Sequence, residues 1–133
     1  MKIASEQEML ALGEQFGREL KNPVIELVGD VGAGKTTFVR GLAKGLNIKE
    51  DITSPSFTIS KTYAIPNGQT LIHYDFYRLS DPGLMADDLT ENIANHNIII
   101  VEWADSIADI LPENRTRITI SYNDDNTREV TIL

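Results

Sequence analysis

Eight consecutive residues, from Gly29 to Thr36, have the types and spacing of a phosphate-binding loop. Their sequence GDVGAGKT matches the pattern G-x-x-x-x-G-K-[ST]. Glycines in such a loop let successive backbone N–H groups turn toward one anion, and the following helix adds its positive N-terminal end. Lys35 would contact the β- and γ-phosphates, and the Thr36 hydroxyl would bind Mg²⁺. We therefore expect nucleotide contacts from Gly29, Asp30, Val31, Gly32, Ala33, Gly34, Lys35, Thr36 and Thr37.

The flanking segments are those that such a loop requires. Val24 to Val28 is an apolar run that predicts a buried strand, and Thr37 to Ala43 predicts a helix that ends near Gly45. Strand, loop and helix therefore follow one another directly, and this context makes a chance match to the motif rare.

Carboxylates at the ends of two apolar strands are the candidates for handling metal and water. Ile98 to Val101 precedes Glu102, and the β-rich stretch Thr70 to Asp75 ends in a second acid. Either carboxylate could hold Mg²⁺ or orient the attacking water, and the two could lie side by side at the carboxyl edge of the sheet. Glu102 could instead be a solvent-exposed residue at a strand end. His73 is more often a satisfied structural residue than a proton carrier.

Five further positions are weaker candidates. Thr53 and Ser54 begin a hydroxyl-rich turn that occupies the chain position of a switch segment sensing the γ-phosphate, although alone it is only a turn. Trp103 follows Glu102 and is either a buried anchor or a lid. Arg40 and Arg78 could stabilise transition-state charge, but their spacing does not distinguish them from ordinary surface arginines.

The remaining chain predicts elements for one mixed sheet. Ser5 to Glu8 has the form of a capping box for a helix from Glu6 to Leu20, and Asn67-Gly68 predicts a hairpin between two β-rich stretches. Phe57 to Tyr63 is predicted to be a strand, and Asp81-Pro82 is predicted to begin a helix whose buried stripe is Leu84, Met85, Leu89 and Ile93. A short helical turn is expected to end at Leu111-Pro112. Arg117 to Tyr122 and Arg128 to Leu133 are predicted to form a final hairpin. We expect a single domain over residues 1–133, an α/β fold like that of P-loop NTPases, with a mixed sheet, flanking helices and antiparallel hairpins.

Composition excludes several classes of function. The chain of 133 residues has no cysteine, so disulfides and thiol catalysis are excluded. Its 12 basic and 20 acidic residues give a formal charge of −8, which argues against direct binding of nucleic acid. We find no signal segment and no apolar run long enough to cross a bilayer, so we expect a cytoplasmic protein without membrane contact.

Four segments in this order and at these distances resemble the bacterial TsaE family, formerly called YjeE. They are GDVGAGKTT from Gly29, TSPSFT from Thr53, HYDFYRL from His73 and VEW from Val101. The loop alone would fit hundreds of proteins, whereas the combination is specific and its resemblance covers essentially the whole chain.

The resemblance implies a small cytoplasmic ATPase of tRNA threonylcarbamoyladenosine (t6A) biosynthesis that works with the TsaB–TsaD heterodimer. In that system TsaD transfers the threonylcarbamoyl group to an adenosine beside the anticodon, and TsaE is similar to a motor or reset factor. Carried over by position, Lys35 and Thr36 serve phosphate and Mg²⁺, and Thr53 with Ser54 forms the switch. Asp75 and Glu102 become the acidic pair near the metal, and Trp103 occupies the matching aromatic position.

Two departures from the family pattern lie away from the phosphate loop. Ala104 follows Glu-Trp where family members usually have proline, and the helix after Tyr-Arg-Leu is sparser in glutamate. These differences affect the expected partner contacts more than the nucleotide chemistry.

Three other classes remain to be compared with an ATPase. A small kinase would need a lid and an arginine-rich acceptor site, but the six arginines are spread from Arg18 to Arg128. A GTPase would show Asn-Lys-x-Asp, which does not occur. A nucleotide-sensing adaptor without turnover is the stronger alternative, because the sequence shows no arginine finger. Phosphate release measured with and without TsaB–TsaD would separate the adaptor from an ATPase.

Overall fold

The computed structural model describes residues 1–30, 32–53, 55, 60–77 and 83–133. Several predictions concern residues outside these ranges and are not tested by the fold. They are the nucleotide contacts of Val31 and Ser54, the cationic role of Arg78, the start of a helix at Asp81-Pro82 and the first residues of the strand that begins at Phe57.

The described residues form a mixed seven-stranded sheet with helices, which confirms the predicted fold class. The strand order is β1-β7-β6-β2-β5-β4-β3; β4 and β5 are parallel, whereas the β3–β4 and β6–β7 pairs are antiparallel hairpins. The elements are β1 (Lys2–Ile3), α1 (Glu6–Arg18), β2 (Val24–Val28), α2 (Lys35–Gly45), β3 (Ser60–Ala64), β4 (Thr70–Asp75), α3 (Leu84–Ala94), β5 (Ile98–Glu102), a 3₁₀ helix (Ala104–Ile110), β6 (Thr116–Tyr122) and β7 (Arg128–Ile132).

The chain divides into two compact units. The first contains residues 1–21, 27–54 and 117–133, and the second contains residues 22–26 and 55–116. The expectation of a single domain over 1–133 therefore stays a prediction.

In the first unit, helices α1 and α2 meet along a seam of glycines. A Cβ added at Gly13 would lie 2.4 Å from the Phe38 carbonyl oxygen, and one added at Gly41 would lie 2.3 Å from the Leu10 carbonyl oxygen. Gly17 and Gly45 are equally close to the opposite backbone. The buried residues of α1 are Met9, Gly13 and Gly17, so two of the three have no side chain that could keep the helices apart.

Helix α1 begins as its sequence predicts. The Ser5 hydroxyl accepts a hydrogen bond from the Glu8 N–H at 3.1 Å, and a Glu8 carboxylate oxygen accepts one from the Ala4 N–H at 2.6 Å. The first bond satisfies a donor that the first turn of a helix leaves without an intrahelical partner, and the second fixes the chain just before the helix. Strand β1, which pairs with β7, was not predicted, because two residues are too short to show a period.

In the second unit, β4 and β5 pair in parallel and contribute to one apolar core. Tyr74, Leu89 and Ile99 are fully buried in that core. The Tyr74 hydroxyl donates to an Asp88 carboxylate oxygen at 2.6 Å and accepts from the Asn92 amide at 2.8 Å, which ties β4 to α3. Burial and the bond to Asp88 raise the pKa of Tyr74 well above its usual value.

The start of α3 corrects one prediction. Within the described residues the helix begins at Leu84, behind Gly83, and Leu84 is 84% exposed although we expected it in the buried stripe. Leu89 is the residue of α3 that is fully buried in the core, and Met85 and Ile93 are half-buried against that core. The β3–β4 hairpin was predicted correctly, and Gly68 at its turn has φ +94°, a conformation that favours glycine.

Candidate functional site

The phosphate loop lies between the end of β2 and the first turn of α2, as its sequence requires. Gly32 and Gly34 have φ +83° and +111°, values that L side chains rarely adopt. The Ala33 N–H donates to the Asp30 carbonyl at 3.0 Å, and the Phe38 N–H donates to the Gly34 carbonyl at 3.0 Å. Gly29 has no room for a side chain, because a Cβ there would lie 2.6 Å from the Ile120 carbonyl oxygen. The loop therefore has the tight glycine-dependent backbone that anion binding needs.

Lys35 is the first residue of α2 and is only 7% exposed. Its amine donates to the Gly29 carbonyl at 2.5 Å, so the cation is folded across the loop. The side chain is therefore packed against the loop and does not extend into solvent. A phosphate placed in the loop would offer the amine a charged acceptor, and hydrogen bonds between charged partners are roughly twice as strong as neutral ones.

A cavity of about 370 Å³ opens beside the loop within the first unit. This volume falls at the lower end of the range found for small-molecule sites, about 300 to 1,000 Å³. The sequence did not identify its walls apart from the loop, because they come from the segment from β1 into α1 and from the β6–β7 hairpin, which are distant from the loop in the chain. The lining residues outside the loop are Ile3, Ala4, Ser5, Glu6, Met9, Asn126 and Arg128.

Asp75 and Glu102 are brought side by side within the second unit. The parallel register of β4 and β5 pairs these two residues directly, as predicted. Asp75 is 9% exposed and Glu102 is 5% exposed, so Glu102 is not a solvent-exposed residue at a strand end. The Tyr77 N–H donates to Asp75 Oδ1 at 2.9 Å. Buried carboxylates cost free energy unless they are paired, which makes this juxtaposition a candidate site.

His73 is bonded to the second of these carboxylates. It is fully buried, and its Nε2 lies within hydrogen-bond distance of Glu102 Oε2. Its Nδ1 has no hydrogen-bond partner among the described residues. The expectation of a satisfied structural histidine therefore holds for one ring nitrogen only.

Trp103 follows Glu102 in an unusual conformation. Its φ of +55° places a bulky residue in the left-handed region, where such residues are genuine outliers. Its ring packs against Tyr77 with centroids 4.7 Å apart. Backbone outliers of this kind are concentrated at functional sites, although the packing alone also fits a structural anchor.

Thr53 is exposed at the end of a segment that contacts α2. The Arg40 Nε–H donates to the Ile52 carbonyl at 3.3 Å, and both residues line a second cavity of about 480 Å³ with Thr53. Arg40 is therefore tied to the segment that precedes the predicted switch. Thr36 and Thr37 are half-buried in the first turn of α2.

A protein-only metal cage is absent from the described part of the chain. No group of three or more His, Asp or Glu side chains there is placed to hold a metal ion. Mg²⁺ does not require such a cage, because it commonly binds through one or two protein ligands, water and substrate phosphates. The hydroxyl of Thr36 and the carboxylates of Asp75 and Glu102 are of the oxygen type that Mg²⁺ prefers.

The sequence matches the family model described as Threonylcarbamoyl adenosine biosynthesis protein TsaE over residues 3–130. The match covers nearly all of the chain, including both units. The chain belongs to the TsaE family.

Two curated TsaE proteins show the extent of the similarity. The chain is 38% identical to the tRNA threonylcarbamoyladenosine biosynthesis protein TsaE of Treponema pallidum over 131 residues, which is 96% of this chain and 95% of that protein. It is 42% identical to the protein of the same name from Bacillus subtilis over 113 residues, which is 81% of this chain and 67% of that protein.

A solved TsaE-like structure supports the fold as well. The crystal structure of Bacillus subtilis YdiB matches with a TM-score of 0.78 and 35% identity, covering 99% of this chain and 82% of that one. No helix among the described residues has the length and apolar character needed to cross a membrane.

Proposed function

We propose that this protein binds ATP with Mg²⁺ on the loop from Gly29 to Thr37, hydrolyses it slowly when alone, and supports t6A modification of tRNA together with a TsaB–TsaD complex in the cytoplasm. The observation that carries the nucleotide assignment is the buried Lys35 amine, folded across a loop in which Gly32 and Gly34 have left-handed backbone. Membership of the TsaE family supports the tRNA pathway.

Each part of the site has a role in this proposal. The loop amides, Lys35 and the N-terminus of α2 would bind the phosphates, and the Thr36 hydroxyl would be a Mg²⁺ ligand. Asp75 and Glu102 would divide the tasks of holding the metal, through water, and orienting the attacking water. Bound Mg²⁺ would neutralise charge that develops on the phosphates during hydrolysis. Thr53 and Ser54 would sense the γ-phosphate.

The energetic reason to expect a partner is the lack of an assigned cation for the transition state. Arg40, one of the two sequence candidates, is bonded to the Ile52 carbonyl, and Arg78 lies outside the described residues. A cation supplied in trans is typically worth ~10³ to 10⁵ in the rate of phosphoryl transfer.

Phosphate release tests the proposal. The purified protein is incubated with ATP and Mg²⁺ alone, with TsaB–TsaD, and with TsaB–TsaD after the substitution Lys35→Ala. We expect slow release alone, acceleration by the complex, and loss of the accelerated rate in the variant. Nucleotide binding without release under any condition would support the adaptor instead, and fast release by the protein alone would contradict the role of the partner.

A further inference from the structure

The outward-facing side of the phosphate loop is held by donors from the β6–β7 hairpin. When successive amides of such a loop turn toward an anion, their carbonyls turn away from it and need other partners. The Tyr122 hydroxyl donates to the Gly32 carbonyl, and the Arg128 Nε–H donates to the Ala33 carbonyl at 3.1 Å. Two consecutive carbonyls of the loop are therefore fixed by two side chains from one hairpin.

The two donors also hold each other. Tyr122 and Arg128 are direct partners across the antiparallel β6–β7 pair. The guanidinium carbon of Arg128 lies 3.9 Å from the centre of the Tyr122 ring, and its Nη1 donates to the Asn126 carbonyl at 3.0 Å. Cation–π contacts of this kind contribute attraction beyond simple packing. The guanidinium thus has a defined orientation, with one side on the ring and its Nε–H directed at the loop.

Burial does not explain why the tyrosine hydroxyl makes this bond. Tyr122 is 51% exposed, so its hydroxyl could be hydrated without the loop. The bond instead restrains a glycine-rich loop. Glycine loses more conformational freedom when it is ordered than any other residue type does. A loop ordered before the ligand arrives loses less entropy on binding, and this raises affinity without any new contact to the ligand.

We propose that Tyr122 and Arg128 are positioning residues that keep the Gly32 and Ala33 peptides in the orientation that receives phosphate. This inference rests on the proposed nucleotide binding. It predicts that the pair affects affinity for the phosphate chain itself, because the restrained carbonyls belong to the loop and not to the part of the site that would hold the base.

Four variants of the full chain separate this role from a stabilising contact within the hairpin. Tyr122→Phe removes only the hydroxyl and keeps the ring beneath Arg128, whereas Arg128→Gln removes the guanidinium. Ser121→Ala and Arg117→Gln are matched controls, because both residues are exposed on β6. The first substitution removes a hydroxyl and the second removes a positive charge, and neither side chain makes one of the two described bonds to the loop. Each protein is titrated with ADP–Mg²⁺ and, separately, with inorganic tripolyphosphate–Mg²⁺.

We expect Tyr122→Phe to weaken both ligands by on the order of fivefold, the equivalent of one net hydrogen bond. Arg128→Gln should weaken both by at least as much. Tyr122→Phe should lower the thermal unfolding midpoint without ligand by only a few degrees, because it removes a single hydrogen bond of a half-exposed side chain.

Two results would overturn the inference. Unchanged affinity for both ligands in Tyr122→Phe and Arg128→Gln would show that the bonds only stabilise the hairpin. Weakened ADP with unchanged tripolyphosphate would show that these residues contact the nucleoside instead. Lys35→Ala distinguishes a failure of the proposed function: if it leaves ADP and tripolyphosphate affinity unchanged, the loop is not the binding site and the nucleotide assignment itself is wrong.

Discussion

Asp75 and Glu102 are neighbours in register but have different surroundings. Asp75 accepts a backbone N–H from Tyr77, whereas Glu102 is bonded to the buried His73. Different partners allow two carboxylates to perform different tasks, as in enzymes where environment separates an acid from a base. The pair is consequently the place where the hydrolytic step of the proposal can be tested separately from binding.

The substitutions Asp75→Asn and Glu102→Gln should reduce phosphate release more than nucleotide affinity. Each removes a charge with little change in volume, and loss of a group that orients or deprotonates water typically costs on the order of 10² or more in rate. Release with TsaB–TsaD and ADP titration measure the two effects. Asp87→Asn, an exposed acid on α3, is the control. If both variants release phosphate at the wild-type rate, the two carboxylates have a structural role and do not take part in hydrolysis.

His73 should contribute to stability through its bond to Glu102. His73→Leu removes the donor from a buried carboxylate, and we expect a loss of about 1 to 3 kcal/mol in the free energy of unfolding. His73→Gln, whose amide can reach the position of Nε2, should recover part of this loss. Urea unfolding of both variants measures it, with the exposed His96→Asn as control. A His73→Leu variant as stable as wild type would contradict this account of the contact.

The glycine seam between α1 and α2 sets how closely those helices pack. Gly13→Ala and Gly41→Ala should each destabilise the protein by about 2 kcal/mol, because the added methyl meets backbone oxygen, and overpacking outweighs the gain in helix propensity of about 1 kcal/mol. Thermal or urea unfolding measures the effect. Gln15→Ala on the exposed face of α1 should change stability by less than about 0.5 kcal/mol. Equal or higher stability of Gly13→Ala would show that the seam can open without cost.

The helices and strands were predictable where the hydrophobic pattern and the flanking turn residues indicate the same bounds. Strands β2, β4 and β5 have the predicted bounds, and α2 ends at the predicted Gly45, because apolar runs and flanking glycines mark them locally. The buried face of α1 was less predictable, since glycines at four-residue spacing carry no hydrophobic signal and become meaningful only when the opposite helix is present. The exposure of Leu84 was not predictable for the same reason, because burial depends on which residues lie nearby in space.

The candidate site was predictable to the extent that its residues are adjacent in sequence. The loop motif predicts phosphate contacts from Gly29 to Thr36, and the strand ends indicate Asp75 and Glu102 as the acidic candidates. Their roles stay predictions. The bond from His73 to Glu102, and the donors from Tyr122 and Arg128 to the loop, join residues 29 to 95 positions apart. Such contacts depend on strand order and register, which a single sequence does not specify.

The net charge of the chain predicts weak binding of tRNA by the isolated protein. A formal charge of −8 repels the phosphate backbone, so we expect the isolated protein to bind tRNA more weakly than about 10⁻⁴ M, the weak end of nonspecific binding at physiological salt. Anisotropy of labelled tRNA at about 0.15 M salt measures this, and the complex with TsaB–TsaD is the comparison. Tight binding by the isolated protein would show that it carries its own nucleic-acid surface.

Calorimetric titration of ADP–Mg²⁺ into the wild type, Lys35→Ala and Lys44→Ala tests the nucleotide assignment most directly. Both lysines belong to α2, but Lys35 is buried against the loop, whereas Lys44 is exposed in the last turn. We expect wild type and Lys44→Ala to bind with the same affinity and Lys35→Ala to show no measurable heat of binding, because the variant lacks the cation that contacts the phosphates. Unchanged affinity in Lys35→Ala would contradict the central claim that the loop from Gly29 to Thr37 binds nucleotide.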